Sequence, residues 1–173
     1  RPGIAVGGHC IPVYPYFLIN DAGENEMSLP SAARRINDAM SGWALDLTST
    51  ALGGLEGKRI LILGLSYREN VKETAFSGAI RLIAELKAAG AIPMMNDPLY
   101  TNEEVEHFGA KAVSLDDLPE GDAVILQAYH DDYRALDWRL LTNKGYKVLL
   151  DGRNSLDRAE IKSAGMQYIG MGR

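Results

Sequence analysis

The chain has 173 residues, 46% hydrophobic and 24% charged, the balance of an ordinary globular protein long enough to bury a sizeable core. A formal net charge of -5 and a pI near 5.2 argue against a general nucleic-acid or membrane-surface binder, so a phosphate-bearing ligand would need a local cluster of arginines or backbone amides. One cysteine permits no internal disulfide and suits a reducing, cytoplasmic setting; no apolar run reaches membrane-spanning length, and no signal-peptide pattern is present.

Residues 1–29 are punctuated by Pro2, Gly3, Gly7, Gly8, Pro12 and Pro15, too often for a regular element, with a short helix after Pro15 as the exception. Residues 20–25 read as a polar surface turn. A long helix is expected from Pro30 to Leu52, with Ser28 as N-cap and Gly53-Gly54 as the stop. Its apolar stripe is Ile36, Met40, Trp43, Leu47 and Ala51, while Arg34, Arg35, Asp38 and Asp46 are free to face solvent or a partner.

From Gly57 onward, strand and helix patterns alternate. Strands are expected at 58–64, 91–96, 111–114, 123–127 and 147–150, with an edge strand at 167–169. Helices are expected at 77–89, 101–108, 132–144 and 156–164. Short, wholly apolar strands separated by helices predict an α/β, doubly wound, Rossmann-like parallel sheet over residues 54–173, preceded in residues 1–53 by a cysteine loop and one long helix. In such a sheet the ligand lies beyond the carboxyl ends of the strands, where the strand order reverses between strands 1 and 4.

Two features carry chemistry. The first is Gly7-Gly8-His9-Cys10-Ile11-Pro12, in which the glycines clear space for a ligand and the proline stiffens an extended segment. Cys10 is either a nucleophile presented on that loop or a small buried hydrophobe. His9 neighbours it, although successive side chains in an extended loop point apart. The second feature is the ligand edge itself. Strand 1 empties into Gly64–Asn70, strand 4 into Ala128–Asp132 and strand 5 into Asp151–Asn154.

On that edge Arg68 and Arg153 can hold a nucleotide diphosphate, with Tyr67 flanking a base; the plainer alternative is two surface arginines and a core tyrosine. His130 is equally a ligand contact or a structural residue. Asp97 either meets a ribose or forms an ordinary Asp-Pro turn, and His107 sits on a polar helix. Gly64 is not followed by the glycine spacing of a dinucleotide fingerprint, and no metal-ligand spacing occurs.

Gly-Gly-His-Cys-Ile-Pro-Val, followed by Gly-Leu-Ser-Tyr-Arg-Glu-Asn-Val and Asp-Gly-Arg-Asn, resembles the C-terminal half of the UDP-glucose/GDP-mannose 6-dehydrogenases. The histidine before the cysteine is closest to the members acting on UDP-N-acetylhexosamines, such as UDP-N-acetylmannosamine. The resemblance spans nearly the whole chain. It implies that this is a piece of a longer protein, consistent with a chain that begins at Arg1, and that an upstream domain binds NAD. It further implies a homodimer built through helix 30–52, and a UDP-sugar on this domain contacted by Gly7, Gly8, Tyr67, Arg68 and Arg153.

Cys10 would then be the nucleophile that carries the sugar's C6, once oxidised to an aldehyde, through a thiohemiacetal and a thioester to a uronic acid. By itself the chain would be inactive. Three positions depart from the family. Tyr14 stands where an aspartate is usual, Arg68 where a lysine is usual, and Ala75 where an arginine near the cofactor is usual. Two alternatives therefore stay in view: a catalytically impaired nucleotide-sugar-binding or assembly module, and a stand-alone Rossmann-like domain binding another nucleotide.

Overall fold

The computed structural model describes residues 3–172. Six parallel strands, β1 (Arg59–Leu63), β2 (Ile92–Asn96), β3 (Lys111–Ala112), β4 (Ala123–Leu126), β5 (Val148–Asp151) and β6 (Gln167–Gly170), form one sheet in the order β3-β2-β1-β4-β5-β6. The strand order reverses between β1 and β4, as the alternating pattern predicts. The edge strand β6 pairs in parallel with β5.

Side chains alternate across the pleat. Ile60, Ile62, Ile125 and Leu150 pack on one face with Leu82 and Leu86; Leu61, Leu63, Val124, Leu126 and Leu149 pack on the other with Trp138, Leu141 and Ile161. Each such fully buried aliphatic side chain contributes about 1.5–3 kcal/mol. Both faces are covered, which is why the strands are apolar at every position rather than at every second one.

The helices are α1 (Tyr14–Ala22), α2 (Ser28–Leu52), α3 (Gly78–Ala88), α4 (Asn102–His107), α5 (Trp138–Asn143) and α6 (Arg158–Ser163). Thr101 opens α4 with a full capping box, its hydroxyl accepting from the Glu104 amide while Glu104 reaches back. Ser77, Asp137 and Asp157 cap α3, α5 and α6.

Several expectations shift. Asn20 and Asp21 lie inside α1 rather than in a turn, and the turn is residues 23–27. Ser28 is the first residue of α2, not its cap; Met27 precedes it without a side-chain cap, and the amide of Ser31 donates to the Met27 carbonyl at 3.0 Å. The helix expected at 132–144 is broken into a 3-10 turn, Asp131–Ala135, and α5. The break has a cause on each side: the buried Tyr133 is tied by its hydroxyl to the Asn96 carbonyl at 2.8 Å, and Asp137 takes the Arg139 amide to start a new helix.

The face of α2 also differs. Its buried residues are Ser31, Arg34, Ser41, Ala44, Leu45 and Thr48; of the apolar stripe, Met40, Leu47 and Ala51 pack partly buried against the core, while Ile36 and Trp43 are 65% and 56% exposed. Arg34, expected to be free, is 8% exposed; it pairs with Asp38 at 2.9 Å and lies over the Tyr16 ring at 5.5 Å. Small residues at the contact let α2 lie close to the domain, with Ala44 and Leu45 in the same core as the sheet.

Candidate functional site

The amino-terminal segment is threaded along the carboxyl edge of the sheet. Gly3 lies where a Cβ would come within 2.9 Å of the Arg153 guanidinium and of the Gly152 carbonyl. Ile4 is buried in the core, against Gly152 and Gly78. The Val6 amide donates to Asn37 of α2 at 2.8 Å. A Cβ on Gly7 would sit 2.5 Å from the Tyr67 Cβ, and Gly8, at φ +99°, lies against the Tyr67 ring. The Gly8 amide donates to the Ala75 carbonyl at 2.8 Å. Gly7 is thus required by close approach to the loop after β1 and Gly8 by its positive φ, and the cysteine follows two residues further on.

Cys10 is free and exposed. Its carbonyl accepts from the amides of Val13 at 3.1 Å and Tyr14 at 2.9 Å, so it occupies the turn that starts α1. The neighbouring Cys10 side chain, through hydrogen bonding first and charge second, raises the Tyr14 phenol above its usual value. His9 pairs instead with Glu73, Nε2 to Oε2 at 2.9 Å. This bond to His9, with the Ala75 amide, holds the Glu73 carboxyl below the usual range.

The loops after β1, β4 and β5 enclose a polar cavity of about 410 Å³ lined by Glu69, Tyr129, Arg134, Arg153 and Ser155, within the size range of small-molecule sites. Arg153, its side chain 12% exposed, pairs with Glu69 at 3.3 Å. The Glu69 carboxyl is held low by its own backbone amide and, against burial, by Arg153. Arg134 is fixed by Asp131 at 2.7 Å and lies over the Tyr129 ring at 5.1 Å. Arg68 is exposed, 5.7 Å from the centre of the half-buried Tyr67 ring. Arg153 therefore lines the cavity, while Tyr67 and Arg68 stand with Gly7 and Gly8 on the adjoining β1 loop.

His130 and Asp97 are committed to the scaffold. Both are buried, and Asp97 accepts from the amides of Leu65 at 2.7 Å, Ser66 at 3.1 Å and Leu99 at 2.9 Å. The Asn70 amide donates to His130 Nδ1 at 2.9 Å, which fixes the tautomer and leaves Nε2 to donate to Asp97 at 3.1 Å. Burial pushes the Asp97 carboxyl up, but His130 and the loop amides outweigh it and hold it below the usual value. The acid at the end of β2 is the position that in a dinucleotide fold would take a ribose. Here it is spent on the protein's own amides, so these residues do not fit a dinucleotide grip.

Asp151 plays the equivalent part after β5, accepting from the amides of Arg153, Ser155 and Leu156, each at 2.9 Å, and from the Tyr168 hydroxyl at 3.0 Å. Glu69, Glu73, Tyr129 and Arg134 were not singled out from sequence. Their positions on the loops after β1 and β4 were the available signal, but their pairing was not. His107 is exposed on α4. Among the described residues no group of three histidine, cysteine or carboxylate side chains is placed to hold a metal.

A doubly wound sheet with a polar, arginine-bearing cavity at its switch point defines a nucleotide-binding α/β domain. Residues 61–158 match the UDP binding domain of the UDP-glucose/GDP-mannose dehydrogenase family, and the chain belongs to that family. It is 30% identical to a UDP-N-acetyl-D-mannosamine dehydrogenase of Pyrococcus horikoshii over 99% of this chain and 40% of that protein. It superposes on the structure of a UDP-D-ManNAc dehydrogenase from the same organism with a TM-score of 0.83 at 28% identity, covering 100% of this chain and 40% of that one. A UDP-glucose dehydrogenase from Pyrobaculum islandicum superposes at 0.78 and 27% identity, over 97% of this chain and 38% of that one. The chain thus spans about two fifths of the length of these relatives.

Proposed function

We propose that this chain is the C-terminal, nucleotide-sugar-binding half of an NAD-dependent UDP-sugar 6-dehydrogenase, acting on a UDP-N-acetylhexosamine with Cys10 as nucleophile. One observation carries it: the segment bearing Cys10 is laid against the nucleotide edge, with Gly7 and Gly8 packed on Tyr67 and Gly3 packed on Arg153. In this reading the diphosphate meets Arg153 and Arg68 and the sugar lies along the segment that carries Cys10. Arg134 and Arg153 bring guanidinium donors into the cavity, and although each is paired, with Asp131 and Glu69, they give a chain of net charge -5 a local cluster of arginines for a phosphate. Glu69 also offers an acceptor for a ribose hydroxyl.

The dinucleotide, held by residues outside this chain, supplies the hydride acceptor. Residues 1–53 carry the nucleophile and the helix of a homodimer, and residues 54–173 carry the UDP-sugar. The relatives named for UDP-N-acetyl-D-mannosamine support the choice of sugar.

Calorimetric titration of the chain with UDP and a UDP-N-acetylhexosamine tests the site. Binding is expected, and Arg153→Ala is expected to weaken it at least roughly tenfold, the loss of one charge-assisted contact. No heat with either ligand, or unchanged affinity in the variant, counts against the assignment.

The departures at Tyr14 and Ala75 favour one other reading, a binding or assembly module without turnover. NADH formation by the full-length protein with UDP-sugars, abolished by Cys10→Ser, separates the two.

A further inference from the structure

The segment that carries Cys10 is held in its middle and on both flanks. In the middle it meets the loop after β1, where the Gly8 amide donates to the Ala75 carbonyl at 2.8 Å and His9 Nε2 pairs with Glu73 at 2.9 Å. On its flanks it meets α2. Before Cys10, the Val6 amide donates to Asn37 Oδ1 at 2.8 Å. After Cys10, the Tyr16 hydroxyl donates to Asp38 Oδ2 at 2.8 Å. Two adjacent residues of one helix thus take both ends of the segment.

Both acceptors are themselves fixed. Asn37 Nδ2 donates to Asp38 Oδ1 at 3.3 Å, which turns the oxygen of the same amide to the Val6 N–H. The reverse orientation would set the NH2 group against that N–H and the amide oxygen against a carboxylate. Asp38 is braced from two helices. Arg34, buried on α2, donates to Oδ1 at 2.9 Å and covers the Tyr16 ring at 5.5 Å. Arg81 of α3 stands 3.5 Å from the same oxygen and donates to the Asp38 carbonyl. Burial pushes the Asp38 carboxyl up, but Tyr16, Asn37, Arg81 and Arg34 outweigh it and hold it below its usual value.

Packing does little to place the thiol. Between Gly8 and α2 only Pro12 is buried, and α1 buries no residue at all. A segment with so few buried apolar contacts depends on its polar anchors for a single position.

We propose that Asn37 and Asp38 are positioning residues that set where the segment presents the Cys10 thiol, Asn37 through Val6 and Asp38 through Tyr16. The proposal rests on Cys10 being the nucleophile, yet its test needs neither nucleotide nor turnover. Cys10 is the only cysteine in the chain, so a nitroxide attached to it reports motion of the segment at that point without ambiguity. Exchange of the Gly8 amide reports the bond to the β1 loop.

Asn37→Ala removes the acceptor for Val6, and Tyr16→Phe removes only the hydroxyl that Asp38 holds. Each is expected to raise the mobile fraction of the nitroxide spectrum and to speed Gly8 exchange roughly three- to tenfold, the effect of one lost hydrogen bond. The sheet amides of Ile62 and Ile125 are expected to exchange as in the native chain. Ser41→Ala is the control. It removes the 2.9 Å bond from α2 to Glu85 of α3 and should leave the label and Gly8 unchanged. Native spectra and native Gly8 exchange in Asn37→Ala overturn the role of Asn37, and the same result in Tyr16→Phe overturns that of Asp38. Equal loosening by Ser41→Ala, or exchange that rises equally in the sheet, makes these contacts general supports of the fold and overturns both. A failed UDP titration would remove the nucleotide site and leave these results standing, so the two failures are distinguishable.

Discussion

At Gly64, where β1 ends, the backbone passes so close to β4 that only a hydrogen fits. A Cβ there would lie 2.6 Å from the Ala128 Cβ and 2.7 Å from its amide nitrogen, and φ is +97°. Gly64→Ala combines a clash with a strained conformation and should cost about 2 kcal/mol or more. A lower urea midpoint with an unchanged slope would show it. The loop leaving Gly64 is gathered by Asp97, whose carboxyl is depressed in the fold. A depressed carboxylate contributes stability that is fully present above its unfolded value, near pH ~4, and is lost as the pH falls through the folded value. Asp97→Asn is expected to be less stable at neutral pH by about 1–3 kcal/mol and to show a shallower loss in acid. Thermal unfolding from about pH 7 to about pH 2 reads both effects, and parallel curves for the two proteins would count against this account.

Helices α1 and α2 carry the clearest unspent apolar surface. Phe17, Leu18, Leu29, Ile36 and Trp43 are all more than half exposed, whereas the side of α2 facing the domain uses Ser31, Ser41, Ala44, Leu45 and Thr48. A helix that buries Leu45, and partly Met40 and Leu47, yet leaves Ile36 and Trp43 outside still has apolar surface to cover. An isologous contact between two copies through α2 is the proposed use of that surface. Trp43→Glu should shift sedimentation of the chain from dimer towards monomer. A monomeric native chain at roughly the concentrations typical of stable dimers, tens of micromolar, would remove the proposal.

Across the whole molecule, an acidic protein is proposed to hold a dianionic nucleotide because guanidinium donors gather where three loops meet. Arg134 and Arg153 line one cavity, and Arg68 stands on the adjoining β1 loop. If that concentration supplies the affinity, uridine, which lacks the phosphates, should bind at least roughly tenfold more weakly than UDP. Affinity for UDP should also fall as salt is raised, since exposed charges are screened over about 10 Å at 0.1 M. Equal affinities for the two would place recognition on the base instead.

Much of this was legible in the chain itself. Apolar runs such as Ile60–Leu63 and Ala123–Leu126, buried on both sides, announce parallel strands, and their alternation with helices leaves little choice but a doubly wound sheet. The Gly-Gly pair before Cys10 and the arginines after β1 and β5 marked the segments from which the proposed site is built, because local backbone demands and charge are written in adjacent residues.

What sequence could not supply was every relation that depends on distant residues meeting. The inward face of α2 takes only part of its apolar stripe: Met40, Leu47 and Ala51 pack on the core, and Ile36 and Trp43 do not. The place where the 132–144 helix breaks was settled by Tyr133 reaching Asn96. His130 and Asp97 became scaffold because the loop amides of Leu65, Ser66, Leu99 and Asn70 converge on them. His9, next to Cys10 in sequence, turns away from it to Glu73. Periodicity and composition are local quantities, whereas partnership among polar groups exists only once the chain has closed on itself.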